Sequence, residues 1–163
     1  MSKTYCRKRN LFILLFTVSG LLFIAACAPQ DNEPKPPAIA YGRDTCDACG
    51  MIISEPRFAA AILTMDGKTL KFDDAGEMFS YSGRHPELKV RVWFVHDYNS
   101  QNWISGQTAF YLMASDVKSP MGTGIAAFAD KASAEASANR LGVQVLTFDE
   151  VRSAKPLMGM KGK

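Results

Sequence analysis

Phe72-Asp73-Asp74-Ala75-Gly76-Glu77 and, further along, Phe128-Ala129-Asp130-Lys131-Ala132-Ser133 have the same character. In each, an aromatic residue closes an apolar run and a carboxylate able to cap a helix follows. Each stretch reads as the joint between a strand and a helix, and the pair suggests an internal duplication. Upstream of the first joint, Phe58, Ala60, Ile62 and Thr64 alternate, Asp66-Gly67 supplies a hairpin turn, and residues 69–72 return as a second strand. Downstream, Asp74 caps a helix, with Glu77 placed three residues on for a box-like arrangement. Met78, Phe79 and Tyr81 give that helix an apolar side, and Gly83 and Pro86 end it. Residues 88–95 alternate as a strand, and Asp97-Tyr98-Asn99-Ser100 leaves it as a loop.

The second joint is embedded in the same order. Residues 109–114 form a strand, Ser119-Pro120-Met121-Gly122-Thr123-Gly124 a tight loop, and residues 125–128 a strand. Asp130 then caps a helix rich in alanine, Gly142 stops it, and residues 143–148 alternate as a last strand. The expected class is α+β, with two related ββα-type subdomains built on small antiparallel sheets, about 45–98 and 99–155.

The first ten residues carry Lys3, Arg7, Lys8 and Arg9 and no acid, and an apolar run covers residues 11–26. That pattern predicts a secretion signal over residues 1–26; the run is short for a spanning helix, which needs ~20 apolar residues. It closes on Ile24-Ala25-Ala26-Cys27, which resembles a bacterial lipobox, so Cys27 is expected to be acylated and to hold the chain on a membrane. Ala28 behind it is compatible with sorting to the outer membrane of a periplasm-bearing cell. Pro29, Pro34, Pro36 and Pro37 among polar residues make 27–44 a lipidated, proline-rich tether, and 156–163 reads as a flexible tail.

The whole chain is +3, so removing the four basic residues of the signal leaves the mature part near −1. No basic stripe remains for nucleic acid. Proteins, ions or small molecules are the expected partners.

Once Cys27 is set aside, Cys46 and Cys49 are the remaining mature cysteines, two residues apart in Cys46-Asp47-Ala48-Cys49-Gly50-Met51. That spacing suits a shared metal ion, a local disulfide or a redox pair. A structural zinc site wants four ligands, and only His85 and His96, far apart, are on offer. A thioredoxin-type pair should open a helix within a βαβ unit, and here Ile52-Ile53-Ser54-Glu55-Pro56 follows. Met51, and Met121 on a glycine-rich loop, tilt the balance, because thiolate and thioether together are soft donors that suit copper(I). Met65, Met78 and Met113 read as core filler, and Met158 and Met160 fall in the tail. His96 is a secondary candidate ligand; Asp73 and Asp74 read as caps, since carboxylates suit harder ions.

These residues, with Lys71-Phe72-Asp73-Asp74, His96-Asp97-Tyr98, Trp103-Ile104, Ala109-Phe110-Tyr111, Ser119 to Gly124 and Ala127-Phe128, resemble the NosL family of nitrous oxide reductase accessory lipoproteins. The resemblance covers most of the chain from Cys46 to about Val151. It implies a periplasmic copper(I) chaperone rather than an enzyme, with copper as cargo. The implied recipient is the copper-sulfide centre of nitrous oxide reductase, and the implied partners are an ABC transporter and its periplasmic subunit. It also implies a fold similar to organomercurial lyase. Carried over, the copper residues are Cys49, Met51 and Met121, with Cys46 at a place where the family is less uniform. A periplasmic thiol-disulfide oxidoreductase using Cys46 and Cys49 and a lyase-like enzyme are the alternatives; neither uses the methionines.

Overall fold

The computed structural model describes residues 33–154. The expected signal, the acylated Cys27 and the tail with Met158 and Met160 lie outside the described residues. Nine elements follow one another: β1 (Ala60–Thr64), β2 (Thr69–Phe72), α1 (Ala75–Arg84), β3 (Val90–His96), β4 (Trp103–Ser105), β5 (Phe110–Met113), β6 (Ile125–Phe128), α2 (Lys131–Leu141) and α3 (Phe148–Ser153). The result is the mixed α+β architecture with small antiparallel sheets.

The first sheet has the order β2-β1-β3-β4 and is antiparallel throughout, with Ala60 opposite both Phe72 and Val95. In the second, β5 pairs with β6 along Phe110–Met113, and Leu146 adds an antiparallel bridge on the other side of Tyr111. A central strand flanked by its successor and by the segment after the helix is therefore the plan of both halves, as a duplication requires. The second half departs from the plan at its end: the strand expected over 143–148 is reduced to that single bridge. Local chemistry overrides the alternating pattern there, because Thr147 and Glu150 form a reciprocal capping box that starts α3 at Phe148.

The expected division near residue 98 does not bound the first sheet. Asp97 reverses the chain: its carboxylate accepts from Ser100 N–H and hydroxyl, its carbonyl accepts from Gln101, and its own N–H reaches Asn102. β4 is thereby returned alongside β3, so that Val95 faces Ile104 and His96 faces Trp103. The other carboxylate oxygen of Asp97 accepts from Ala129 N–H, and Tyr98 N–H donates to Ala127, stitching the halves together.

Alternation on β5 and β6 divides the core. Tyr111, Ile125 and Ala127 face the larger cluster, which is continuous with the first sheet and α1; Leu112, Ala126 and Phe128 face a smaller one under Ala134 and Ala138 of α2. The larger cluster is centred on Phe79, whose ring lies 5.9 Å from Trp93, 5.8 Å from Tyr111 and 5.7 Å from Phe148. Each such aromatic pair adds roughly 0.5–1.5 kcal/mol beyond area burial. Met78 is fully buried and Met113 packs against the cluster, as expected of filler. Met65 is not in the core. It stands in the turn between β1 and β2, 66% exposed, because the hairpin reverses there and its backbone is pinned instead to Lys89.

The chain is fastened to the domain before residue 45. Ala40–Asp44 form a turn whose Gly42 N–H donates to Ile53, while Asp44 accepts from Ala40 N–H and pairs with Lys71 at 2.7 Å.

Candidate metal centre

The segment Thr45–Ile52 is a tight loop closed by a bridge between those two residues. Cys46 N–H donates to Met51, and Gly50 N–H donates back to Cys46, both at 2.8 Å. Gly50 completes the loop at φ 74°, in the left-handed region where a side chain would be strained. Asp47 ties the loop to the free edge of β2: its N–H donates to the Lys71 carbonyl and its carboxylate accepts from Lys71 N–H.

Cys46 is thereby turned inward and Cys49 outward. The two sulfurs and a carboxylate oxygen of Glu77 all lie within 4.8 Å of one another. Burial pushes the Cys46 thiol up to about 11, although the backbone N–H groups of Asp73, Cys49 and Ala48 point at its sulfur. Those N–H groups favour the charged sulfur and burial opposes it, and burial prevails.

Sequence reasoning missed Glu77. The Asp74-x-x-Glu77 spacing suggested a box, but Asp74 caps α1 through Gly76 N–H, and Glu77 is buried in the first turn facing the cysteines. Burial, then the charges of Asp73 and Asp74, raise its carboxyl against the pull of Arg84. Asp73 is no cap either. It is buried beside Cys46, and burial together with the neighbouring Asp74 raises it.

The Met121 loop hangs from the same joint. Gly122 N–H donates to Ser119, and Gly122 and Gly124 adopt φ 67° and 72°. The Ser119 hydroxyl reaches Thr123 and Gly124 N–H, and the Thr123 hydroxyl donates to Asp74. A Cβ on Gly76 would lie 2.5 Å from Thr123 Cβ, so this loop can seat only on a glycine. The cysteine loop is held at Lys71 and the methionine loop at Asp74, three residues apart on one joint. Met121 is half-buried; Met51 and its neighbour Ile52 are 53% and 55% exposed.

His96 is not brought to this cluster. Its Nδ1 faces the Ala59 carbonyl at 2.8 Å, which can only accept, so Nδ1 carries the proton and Nε2 accepts from Tyr41 OH at 3.2 Å. Both nitrogens are thus occupied, and burial lowers its pKa below 6.5. A depressed folded-state value means stability present above pH 6.5 that is lost as pH falls through the folded value. His96→Gln is expected to cost about 1–3 kcal/mol, typical of a lost buried hydrogen bond, and to remove this acid-side component. Copper(I) affinity should be unchanged. Thermal melts across pH, paired with copper(I) titration, check this; a stable variant that loses copper would make His96 a ligand.

Comparison with known proteins gives one consistent picture. The family model described as NosL matches residues 37–155. A copper-binding lipoprotein NosL of Stutzerimonas stutzeri is 28% identical over 143 residues, covering 80% of this chain and 75% of that protein. The crystal structure of the copper chaperone NosL from Shewanella denitrificans superposes with a TM-score of 0.67 at 27% identity, covering 75% of this chain and 99% of that one.

Proposed function

The chain belongs to the NosL family, and on that premise we propose that it is a periplasmic copper(I) chaperone, held to a membrane through acylated Cys27, that supplies the copper-sulfide centre of nitrous oxide reductase. An ABC transporter with its periplasmic subunit is the partner machinery. Copper is cargo, and the chain catalyses no reaction of its own. The residues between Cys27 and the turn at 40–44 serve as the tether and the domain that follows as the carrier.

The observation that carries this reading is the hanging of a two-cysteine loop and a methionine loop from one strand-to-helix joint, at Lys71 and Asp74. Cys49, Met51 and Met121 are the ligands. Copper(I) is content with two or three soft donors, and a site with exposed Cys49 and Met51 leaves one side open for handover. Cys46 stands behind them, its buried sulfur already surrounded by N–H donors. An oxidoreductase would have no use for Met51 or Met121.

The test compares Met51→Leu, Met121→Leu and the core control Met78→Leu. A Met to Leu change keeps volume and generally costs below ~1.5 kcal/mol. Copper(I) affinity, measured by competition with a chromophoric chelator, should fall for the first two and hold for the third. The double variant should lose less than the sum, since both donors serve one ion. Wild-type affinity in both single variants would refute the ligand set.

A further inference from the structure

Three soft donors already satisfy copper(I), so Cys49, Met51 and Met121 leave Cys46 surplus to ligation, and its placement calls for another explanation. Cys46 and Cys49 are the ends of one short turn, closed by Gly50 N–H on the Cys46 carbonyl, and their sulfurs lie within 4.8 Å. They are the free cysteines among the described residues, one buried and one exposed. An external reagent can reach Cys49 alone, and Cys46 has Cys49 as its cysteine neighbour. Such a pair reacts from outside inward.

We propose that the Cys46–Cys49 pair is a redox gate on the copper site, open as the dithiol and closed as a disulfide formed by exchange with a small-molecule disulfide of the glutathione type. This rests on the chaperone reading and adds a control to it. In the first step the Cys49 thiolate attacks one sulfur of the external disulfide; that S–S bond breaks, and one thiolate leaves and takes up a proton. In the second, Cys46 gives up its proton and its sulfur attacks Cys49, and the second thiolate leaves and is protonated. Two cysteine thiols and one disulfide become one protein disulfide and two free thiols, with two electrons passed to the reagent. Copper ligation needs the thiolate, and the closed form has none at the site.

The fold tolerates both forms. The ring closed by so short a turn removes little entropy from the unfolded chain, and the anchors of the loop, Asp47 on Lys71 and Thr45 on Ile52, are backbone contacts that do not involve sulfur. Cycling the pair therefore leaves the domain folded and the Met121 loop in place.

The experiment equilibrates the full chain, in detergent and without oxygen, in buffers of rising glutathione disulfide to glutathione ratio. Each sample is divided between thiol trapping with mass spectrometry and copper(I) titration. Copper(I) affinity should fall in step with the intramolecular disulfide, by at least about a hundredfold, beyond the ~10–100-fold typical of outer-shell changes, and should return with dithiothreitol. Cys46→Ser should form only a mixed disulfide at Cys49 and no intramolecular bond, as a step that needs both sulfurs requires. Undiminished copper(I) binding by the disulfide form, or failure of the wild type to form it, overturns the gate and leaves the chaperone standing. Failure of the reduced wild type to bind copper(I) instead overturns the chaperone reading itself.

Discussion

Cys49→Ser is expected to abolish copper(I) binding while leaving the fold intact. Cys49 is the exposed thiol of the cysteine pair. Serine keeps the size and removes the soft donor, and a neutral hydroxyl is a poor ligand for copper(I). Cys46 does not replace it: burial pushes that thiol up to about 11, so binding through it first costs a proton. The loss should exceed about a hundredfold, more than outer-shell changes usually cause. Stability should move by no more than about 0.5 kcal/mol, as for surface changes generally. Chelator competition and a denaturant melt check both halves of the statement; near-wild-type affinity would move the centre away from Cys49.

Gly76→Ala should have the largest effect on stability. The new methyl carbon would stand 2.5 Å from Thr123 Cβ and Cγ2 and 2.7 Å from its hydroxyl oxygen. Thr123 is fully buried and bonded to Asp74 and Ser119, so it has nowhere to retreat. Overpacking of this kind costs about 1–3 kcal/mol, set against at most ~1 kcal/mol gained from helix propensity. The loop that yields carries Met121, so copper(I) affinity should fall along with the melting temperature. Thr123→Gly opens the space, and in that background the same glycine change should cost far less. Equal cost in both backgrounds would show that the two residues do not meet.

Much of this was legible because the signals are local. The hairpin announced itself by alternation around Asp66-Gly67, and both long helices by the carboxylates of Asp74 and Asp130. The two candidate loops showed as soft donors beside glycines, and those glycines are left-handed. What escaped depends on distant partners. β4 is three residues long and is a strand only because β3 lies beside it. His96 is settled by Tyr41 and by the Ala59 carbonyl, neither near it in sequence. Glu77 sits at the right interval for a capping box, and only its burial beside a loop some thirty residues earlier shows what it faces. The missing last strand is the opposite case: Thr147 and Glu150 stand three residues apart in the sequence, and the capping box they form overrides the hydrophobic alternation around them.

The two candidate loops are anchored three residues apart on one strand-to-helix joint, the cysteine loop at Lys71 and the methionine loop at Asp74. A clamp whose jaws share so short a base keeps its gauge when the frame around it flexes. If either sheet breathes, both jaws ride with the same joint, and the distance between them changes far less than the distance between the sheets. Accuracy in this carrier is thus a property of one short joint, and the rest of the fold is free to bend toward whatever it meets.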